Sequence, residues 1–332
     1  MNVNNGSWSW ESKSVLVTGG AGFIGSHLVE QLVQERAEVT VIDNFRSGVR
    51  TNLAAVADRI TLHEADIRLV DWDSVLADGV AAIFHFAANA YVPPSVEFPT
   101  VDYDINVAAT MNLLECLRLK QWPGRMVFAS SAAVYGNAIR VPIREDDPTV
   151  PISPYGAGKL ASERYVAVFA KLYGLKLASV RFFSAYGPRQ RKQVVFDLLA
   201  KLRRDSCQLP IHGDGTQVRD FLYVQDAARA AMAVAESGAL SGEAYNVGGG
   251  REYTIDTLAK ALCAQAGVAP ELRYTGVNRP GDPEKLIVDI TRLRALGYRP
   301  QIALEQGLAE VARWFSDVIE ETPELQTATM AN

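Results

Sequence analysis

The sequence predicts an α/β protein built on a doubly wound parallel sheet, with a smaller C-terminal α/β lobe that binds substrate. Short apolar strand patterns alternate with amphipathic helix patterns over the first half of the chain, as in a parallel sheet covered by helices on both faces. A glycine triplet follows the first strand. Beyond about Gln190 the alternation gives way to helices separated by loops rich in glycine, proline and aspartate. At 332 residues the chain can form one large or two modest domains.

A glycine motif connects the first predicted strand to the first predicted helix. Ser14–Gly25 reads SVLVTGGAGFIG, in which Gly19, Gly22 and Gly25 connect an apolar strand to an amphipathic helix. The first glycine permits a tight turn, the second lets the backbone approach a pyrophosphate, and the third lets helix pack closely on strand. The helix N-terminus offers unpaired N–H groups to phosphates. The motif therefore predicts a dinucleotide site, with a ligand-free glycine turn as the alternative.

The second strand ends in an acid that indicates which dinucleotide binds. Glu38–Ile42 is followed by Asp43, eighteen residues beyond Gly25. A carboxylate here can bind the ribose hydroxyls of adenosine and would repel a 2′-phosphate, so NAD is favoured over NADP. Together these features predict a Rossmann-type domain.

The remaining elements of the first half follow in order. We expect a short helix near Val49–Ala57, strands at Ile60–Glu64, Val80–Ala88, Met126–Ser130 and Lys176–Phe183, and helices at about Thr100–Lys120 and Pro154–Tyr173. Asp66 and Ile67 follow the third strand, where Asp66 either contacts an adenine amino group or only forms a turn. His85 is expected to be a core histidine.

The second half predicts the smaller lobe. Its helices are expected at Val194–Arg204, Val224–Glu236, Thr254–Ala266 and Ala303–Ile319, and its short strands at Glu243–Val247 and Glu271–Tyr274. We divide the chain into a flexible extension (1–12), an NAD-binding domain (13–190) to which some later segments return, a lobe that mainly binds substrate (191–320) and a flexible tail (321–332).

Composition excludes several classes of partner. The formal net charge is −5, so no basic face is available for nucleic acid or anionic membrane. Cys116, Cys207 and Cys263 lie far apart without metal-ligand spacing and indicate a reducing compartment. No apolar run reaches membrane-spanning length, and the N-terminus lacks a signal-peptide pattern. We therefore expect a soluble cytoplasmic enzyme.

Tyr155 and Lys159 form the clearest catalytic candidate. In YGAGK their i, i+4 spacing puts both side chains on one helix face. A free tyrosine, with a pKa of about 10, is a poor base at neutral pH. A lysine ammonium and a positive nicotinamide ring both favour the phenolate, which makes Tyr155 a candidate general base. A surface Tyr–Lys pair is the alternative.

Further candidates are a serine and several arginines. Ser131, in FASSAAVYG, stands where a strand is expected to end and can hydrogen-bond a reacting hydroxyl. Arg189, Arg191, Arg219 and Arg279 are candidates for an anionic ligand, because the planar guanidinium fork suits a diphosphate. Arg219 and Arg279 lie beside carboxylates, so structural ion pairs are the alternative.

These motifs together resemble one enzyme family. TGGAGFIG, the strand-end serine, YxxxK, RFFSAYGPRQ, GDGTQVRDF and RPGD resemble the extended short-chain dehydrogenase/reductases that act on nucleotide sugars, closest to the UDP-glucose 4-epimerase branch. The resemblance spans roughly residues 14–316. It implies a tightly held NAD, a nucleotide-sugar substrate, and a homodimer in which the helices near residues 100–120 and 154–173 pair into a four-helix bundle.

The resemblance also implies roles for individual residues. Tyr155 as phenolate takes the proton of the sugar 4-hydroxyl while the C4 hydride passes to NAD, Ser131 hydrogen-bonds the same oxygen, and Lys159 holds the nicotinamide ribose. The 4-keto sugar then swings about its diphosphate, and the hydride returns to the opposite face.

The implied cofactor contacts are Gly19, Gly22, Phe23, Ile24, Gly25, Asp43, Asn44, Ser47, Gly48, Asp66, Ile67, Phe86, Ala87, Ala88, Asn106, Tyr155 and Lys159. The implied substrate contacts are Ser130, Ser131, Ser184, Val195, Pro210, His212, Arg219, Arg279 and Asp282, with Arg219 and Arg279 on the diphosphate, Asp282 on the uridine ribose and Leu209–Gly213 against the uracil.

One local detail bears on the reaction. Family members that eliminate water across C5–C6 typically carry an Asp–Glu pair in STDEVYG, and nucleotide-glucuronate decarboxylases usually keep a glutamate there. This chain has Ala132 and Ala133, which cannot transfer a proton, so we predict C4 epimerisation. The alternatives are another keto-intermediate reaction (4-epimerisation or decarboxylation of UDP-glucuronate, 2-epimerisation of a CDP-sugar, dehydration) or a non-catalytic NAD-binding sensor.

The sugar is left open by three departures from the family pattern. Ser184 replaces the usual asparagine, Ala90 stands where some epimerases use lysine for the cofactor pyrophosphate, and Leu286 falls near the site that governs tolerance of N-acetylated sugars. Glucose, N-acetylglucosamine and glucuronate all fit. Arg191 and Lys192 favour a C6 carboxylate or form only a solvated basic face.

Overall fold

Fourteen strands and eleven α-helices make up the computed structural model over the residues that it describes, which are 8–76, 79–277 and 284–321. In chain order the strands are β1 (Ser14–Thr18), β2 (Glu38–Asp43), β3 (Ile60–Glu64), β4 (Ala82–His85), β5 (Arg125–Ser131), β6 (Lys176–Phe182), β7 (Ser184–Tyr186), β8 (Gln208–Ile211), β9 (Val218–Arg219), β10 (Phe221–Tyr223), β11 (Ser241–Val247), β12 (Tyr253–Thr254), β13 (Glu271–Tyr274) and β14 (Lys285–Leu286). The α-helices are α1 (Phe23–Gln34), α2 (Trp72–Val75), α3 (Val92–Glu97), α4 (Pro99–Tyr103), α5 (Ala109–Leu119), α6 (Pro154–Tyr173), α7 (Gln193–Arg204), α8 (Val224–Ser237), α9 (Ile255–Gln265), α10 (Thr291–Arg294) and α11 (Leu304–Glu321).

Seven of the strands form one parallel sheet in the order β3-β2-β1-β4-β5-β6-β11. Strand order reverses at β1, because the chain builds outward first to β3 and then in the opposite direction through β4. Ligands of such sheets bind outside the carboxyl ends of the strands at this reversal. The predicted doubly wound α/β fold is confirmed.

Alternation along the strands divides the core into two layers. Val15 and Val17 face a cluster that contains residues of α1 and α8, whereas Leu16 between them faces a cluster that contains residues of α5 and α6. Because successive side chains of a strand point to opposite faces, a strand covered on both faces must be apolar throughout. That requirement explains the continuous apolar run of β1.

Two elements of the second half return to this sheet. β11 pairs in parallel with β6 at the sheet edge, and α8 packs beside α1. We expected Glu243–Val247 and Val224–Glu236 in the smaller lobe. The strand and helix patterns predicted both elements correctly, but periodicity does not identify the neighbour of a strand.

A third core cluster lies outside the central sheet. It joins one face each of α7, α9 and α11 with Leu209 and Ile211 of β8 and with the aromatic residues Tyr186, Phe221 and Tyr223. The short sheets β7–β10, β12–β9–β14 and β8–β13 border it. The division that we predict after residue 190 stays a prediction.

Three smaller observations complete the fold. Trp10 lies within the expected flexible extension but is 3% exposed and packs near Phe84, so the described part of that segment adds to the core. The helix expected near Val49–Ala57 is a 3₁₀ helix, Arg50–Arg59. Across the described ranges, no helix is long and apolar enough to cross a membrane.

Candidate active site

The turn between β1 and α1 is shaped by backbone contacts that only glycine permits. Gly19 has a φ of +71°, and a Cβ there would lie 2.6 Å from the Ala87 nitrogen at the end of β4. A Cβ at Gly25 would lie 2.2 Å from the Gly19 carbonyl oxygen. Gly22 precedes the first turn of α1 without a side-chain cap, and Phe23 and Ile24 begin the helix. Free N–H groups at a helix N-terminus beside a bare backbone fit a pyrophosphate.

Asp43 binds the glycine turn as well as ending β2. One carboxylate oxygen accepts the Ala21 N–H at 2.9 Å and the other accepts the Phe45 N–H at 2.8 Å. Burial raises the pKa of Asp43, and these two hydrogen bonds oppose the shift. Its remaining lone pairs can accept ribose hydroxyls, so the residue fits the adenosine role that we predict and also orders the turn.

The side chains expected around the adenosine come together at the ends of β2 and β3. The Asn44 amide donates to Asp66 at 3.1 Å, and Arg68 pairs with Asp66 at 2.7 Å and holds its pKa down to about 2. Gly48 packs on the glycine turn, where a Cβ would lie 2.8 Å from the Ala21 carbonyl carbon. The neighbouring Ser47 lies on the same loop, whereas Ile67 is buried in the second core cluster.

The end of β4 is tied to β1 through Thr18. Its hydroxyl accepts the N–H groups of Phe86 and Ala87, both at 3.2 Å, which places the 86–88 segment, with Ala88, against the glycine turn. His85 contacts the Thr18 hydroxyl at 2.8 Å and the Thr110 hydroxyl at 3.1 Å. Burial lowers the pKa of His85 to about 3. The geometry agrees with the predicted core histidine.

The start of α6 brings Tyr155 to Ser131. Ser153 caps the helix by accepting the Gly156 N–H at 3.1 Å, and Pro154 occupies its first position. A Cβ at Gly156 would lie 2.6 Å from the Ala133 carbonyl oxygen, so the first turn lies directly on the segment that follows β5. The Ser131 hydroxyl lies beside the Tyr155 phenol, where it lowers the pKa of the phenol against the larger, opposite effect of burial.

Lys159 lies one turn farther along the same helix face. Its Nζ donates to the Ala129 carbonyl at 2.8 Å, and the residue is 2% exposed. Burial lowers the pKa of Lys159 to about 7 and raises that of Tyr155. The ammonium and the phenol therefore both lie in a poorly solvated site, where a nearby charge has a large effect on proton affinity.

Asp102 is a component of this centre that sequence reasoning missed. It is 1% exposed and accepts the Asn89 amide at 2.8 Å and the Asn106 amide at 3.0 Å. It packs against α6 between the two catalytic candidates, since a Cβ at Gly158 would lie 3.3 Å from its Oδ2. Its charge raises the pKa of Lys159. No motif pointed to Asp102; only the register of α4 on α6 brings it here.

Asn106, which we expected to contact the cofactor, forms its described hydrogen bonds with the residues around Asp102. Its amide oxygen accepts the Asn89 N–H at 3.0 Å, and its carbonyl accepts the hydroxyls of Thr110 and Ser162. The side chain is 1% exposed. Its described contacts organise the helices behind the site.

Ser130 belongs behind the site rather than in the cleft where we expected it. Ser130 is 3% exposed, and its hydroxyl donates to the Glu163 carboxylate at 2.7 Å. Glu163 in turn forms a buried ion pair with Arg181. Successive strand residues point to opposite faces, so Ser130 and Ser131 cannot both face the cleft. Arg181 also donates to Tyr135, whose hydroxyl donates to Asn246 at 2.7 Å.

The remaining substrate candidates divide into several environments. Ser184 begins β7, Pro210 and His212 are exposed at the end of β8, and Arg219 ends β9 with its Nη1 on the Val218 carbonyl at 2.8 Å. Val195, which we expected to contact the substrate, is 2% exposed and packs in the third core cluster. Arg279 and Asp282 lie outside the described residues.

Two cations near the YGPRQ segment have distinct roles. Arg189 forms an ion pair with Glu30 and donates a hydrogen bond to the Ser26 hydroxyl at 3.1 Å. Both partners belong to α1, so these contacts hold the segment against that helix. Lys192 instead donates to the Ala90 carbonyl at 3.2 Å and lies 4.5 Å from the centre of the Tyr91 ring. Burial lowers its pKa. Within the described ranges no carboxylate lies within 4 Å of Lys192, while Arg191 beside it is exposed.

Comparison with known proteins finds matches along most of the chain. The sequence model of the NAD dependent epimerase/dehydratase family matches residues 15–248. A putative UDP-glucose 4-epimerase of Methanocaldococcus jannaschii is 36% identical over 309 residues, which cover 91% of this chain and 98% of the relative.

Solved structures agree in fold and extent. The UDP-N-acetylglucosamine 4-epimerase of Methanobrevibacter ruminantium, in complex with UDP-N-acetylmuramic acid, superposes with a TM-score of 0.86 at 33% identity, covering 93% of this chain and 99% of the other. The UDP-glucuronic acid 4-epimerase of Bacillus cereus, in complex with UDP-glucuronic acid and NAD, superposes with a TM-score of 0.83 at 30% identity, covering 92% and 99%.

Proposed function

The chain belongs to the NAD dependent epimerase/dehydratase family, and on that premise we propose that it epimerises a UDP-linked hexose at C4 through a 4-keto intermediate. Enzymes of this family use NAD, and the bare glycine turn, the α1 N-terminus and Asp43 fit that cofactor. Bound NAD would supply reversible hydride transfer at C4 of the sugar. The protein must bind and orient the sugar, exclude water and move one proton.

The observation that carries the proposal is the grouping of Ser131, Tyr155 and Lys159 beside two alanines. The Ser131 hydroxyl lies beside the Tyr155 phenol and lowers its pKa, and Lys159 lies one turn beyond Tyr155. Ala132 and Ala133 follow Ser131 directly. The dehydratases of this family typically carry an Asp–Glu pair at these two positions, whereas the alanines of this chain cannot donate a proton. Two buried carboxylates near this group are already bonded, Asp102 to the Asn89 and Asn106 amides and Glu163 to Arg181.

The proposed chemistry follows from these surroundings. Tyr155 takes the proton of the sugar 4-hydroxyl and returns it after the sugar has turned, while Ser131 holds that oxygen. Lys159 as ammonium stabilises the phenolate, because opposite charges attract strongly in a poorly solvated site. Arg219, with Arg279 and Asp282 as further candidates, binds the nucleotide diphosphate and ribose.

Proton NMR of the purified chain with UDP-glucose, UDP-N-acetylglucosamine and UDP-glucuronate in turn tests the proposal. We expect the anomeric signal of the galacto isomer to grow from UDP-glucose, without added NAD if the cofactor is retained. A 4-keto-6-deoxy product would indicate dehydration instead. Absence of any change in all three sugars with NAD supplied would overturn the proposal and direct attention to CDP- and dTDP-sugars, and then to the sensor.

A second candidate, 4-epimerisation of UDP-glucuronate, is favoured by Lys192. Its ammonium bridges from the segment before α7 to the loop after β4, and in the described chain no carboxylate neutralises it. Helix α3, which follows this loop, contacts the start of α6, because the Ser95 hydroxyl accepts the Tyr155 N–H at 3.1 Å. A cation in this position suits a C6 carboxylate. The glucuronate arm of the NMR experiment decides between the two sugars.

We also infer that two copies associate through α6. Tyr165, Val168 and Leu172 expose an apolar stripe at three- and four-residue spacing, with exposed fractions of 44%, 47% and 69%. Tyr103 and Leu119, from the neighbouring α4 and α5, are also exposed. An apolar helix face of this kind is typical of a helix that packs on another. A second copy of the same stripe supplies the matching surface.

A further inference from the structure

A recess lined by three arginines lies beside the third core cluster. Its volume is about 260 Å³, and Arg251, Arg294 and Arg299 line it together with Tyr253 and the 300–304 segment. Among the described residues that form its walls, none is acidic. The concentration of positive charge is unusual in a chain whose formal net charge is −5.

The arginines are not neutralised by their neighbours. Within the described ranges, no carboxylate oxygen lies within 4 Å of the guanidinium of Arg251, Arg294 or Arg299. Asp289 feels the charge of Arg294 but is paired with Arg144 at 3.4 Å. Arg299 uses its Nη1 on the carbonyls of Arg294 and Tyr298, at 2.8 and 2.7 Å, which leaves its other N–H groups available.

The loop that contains Arg251 is hydrogen-bonded to the buried carboxylate of Asp220. Asp220 is fully buried and accepts the backbone N–H of Gly250 at 2.9 Å and that of Gly249. Arg251 directly follows Gly250 in the chain. These bonds occupy the Asp220 carboxylate and fix the backbone of the loop, so Arg251 starts from a defined position at the edge of the recess.

The geometry points to a binding site for a phosphate-bearing small molecule in this recess, separate from the cofactor and substrate sites. The guanidinium forks match phosphate oxygens, and arginine is more easily desolvated than lysine. The volume admits a phosphate with a group about the size of a sugar. The recess adjoins the substrate region, because Tyr253 on its wall pairs with Arg219 across β12 and β9.

Calorimetric titration of inorganic phosphate into the full chain tests the site. The protein is first saturated with NAD and UDP, so that the other sites for phosphate groups are filled, and ionic strength is held constant. We expect one saturable site. In Arg251→Gln/Arg294→Gln the affinity should fall at least tenfold, because two of the three forks are lost. Both side chains are exposed, and neither makes a described side-chain hydrogen bond, so the variant should fold.

The control variant is Arg59→Gln/Arg203→Gln. It removes the same charge from two exposed arginines, one at the end of the 3₁₀ helix and one at the end of α7. Phosphate should bind it as tightly as the parent chain. Equal losses in both variants would reduce the effect to general electrostatics and overturn the proposal, as would the absence of saturable binding to the parent. Because the readout is binding, it is independent of whether the chain epimerises UDP-glucose.

Discussion

At the scale of single residues, Tyr155 and Lys159 have opposing needs that their surroundings must reconcile. Burial favours the neutral phenol and the neutral amine. The proposed reaction requires the charged pair, phenolate and ammonium, in the same place. The neighbouring Ser131 hydroxyl favours the phenolate. The charge of Asp102 favours the ammonium of Lys159 and opposes the phenolate of Tyr155. The centre therefore depends on residues beyond the YxxxK motif.

Replacing Tyr155 by Phe should lower kcat by 10²- to 10⁴-fold, the usual contribution of a general base. The glycine turn is untouched, so the variant should retain NAD, as measured by the nucleotide released on denaturation. Tyr165→Phe, on the exposed face of the same helix, is the control and should be fully active. Unchanged turnover in Tyr155→Phe would contradict the proposed base, whereas a parent chain that binds NAD without any turnover would favour the sensor.

Replacing Asp102 by Asn should move the alkaline limb of the pH–kcat profile to lower pH. The pKa of Lys159 is about 7 with the carboxylate in place, and the carboxylate raises it, so its removal lowers that pKa. Lys159 then loses its charge at a lower pH, and activity at pH 8 falls more than activity at pH 6. The other groups near Lys159 carry no compensating charge, since His85 is neutral and Ala129 offers a carbonyl.

The control for this profile is Asp104→Asn, an exposed carboxylate two residues away. It should leave the profile in place. A uniform loss of activity at every pH in Asp102→Asn would mean that Asp102 acts only by ordering Asn89 and Asn106.

Residues of this centre differ in how far sequence could reveal them. Gly19, Gly25, Tyr155 and Lys159 were accessible because their roles depend on local spacing, along one turn or one helix face. Asp102 was not, since its place depends on how α4 packs against α6, which no local pattern encodes. Ser130 was expected at the substrate because it stands at a strand end, but strand alternation directs its side chain to the face opposite that of Ser131.

At the scale of elements, α6 carries three separate functions on different faces. Tyr155 and Lys159 face the cleft, Glu163 enters the buried ion pair with Arg181, and Tyr165, Val168 and Leu172 face outward. Any rotation of the helix would disturb all three together. The ion pair and its bonds to Ser130 and Tyr135 therefore connect the strand ends to the helix that carries the candidate catalytic side chains.

The outward face of α6 should control oligomeric state. Val168→Glu/Leu172→Glu places two carboxylates in the apolar stripe, and we expect it to convert a dimer into a monomer, as measured by size-exclusion chromatography with light scattering. Leu69→Glu alters a more exposed leucine on a different surface and should leave the dimer intact. A monomeric parent chain would contradict the inferred pairing, as would a dimeric double variant.

Elements of the second half show where periodicity stops being informative. The patterns of β11 and α8 predicted a strand and a helix, but both belong to the central sheet layer and not to the smaller lobe. The pairing of Tyr245 with Val180 and of Val247 with Phe182 is non-local. Trp10 is similar, because its burial depends on contact with Phe84 and with Glu236, far away in the chain.

At the scale of the whole molecule, the 187–192 segment joins the elements on either side of the cleft. Arg189 fastens it to α1 through Glu30, and Lys192 reaches the loop after β4 at Ala90. Lys192 therefore lies at the edge of the cleft, where the contact with Ala90 and the attachment of its segment to α1 together define its position. The sequence placed Arg191 and Lys192 after the YGPRQ segment, but it could not tell a solvated basic face from a side chain turned across the cleft.

This arrangement predicts how the chain distinguishes sugars by charge at C6. Arg191→Met/Lys192→Met should weaken binding of UDP-glucuronate at least tenfold relative to UDP-glucose, because a charge-assisted hydrogen bond to a carboxylate is worth roughly 1.5–3 kcal/mol. Calorimetry on the Tyr155→Phe background measures binding without turnover. Lys201→Met/Arg203→Met removes the same charge from α7 and should affect both sugars equally. Equal weakening of both sugars by the first variant would place these cations on the shared diphosphate, since only the glucuronate offers a C6 carboxylate.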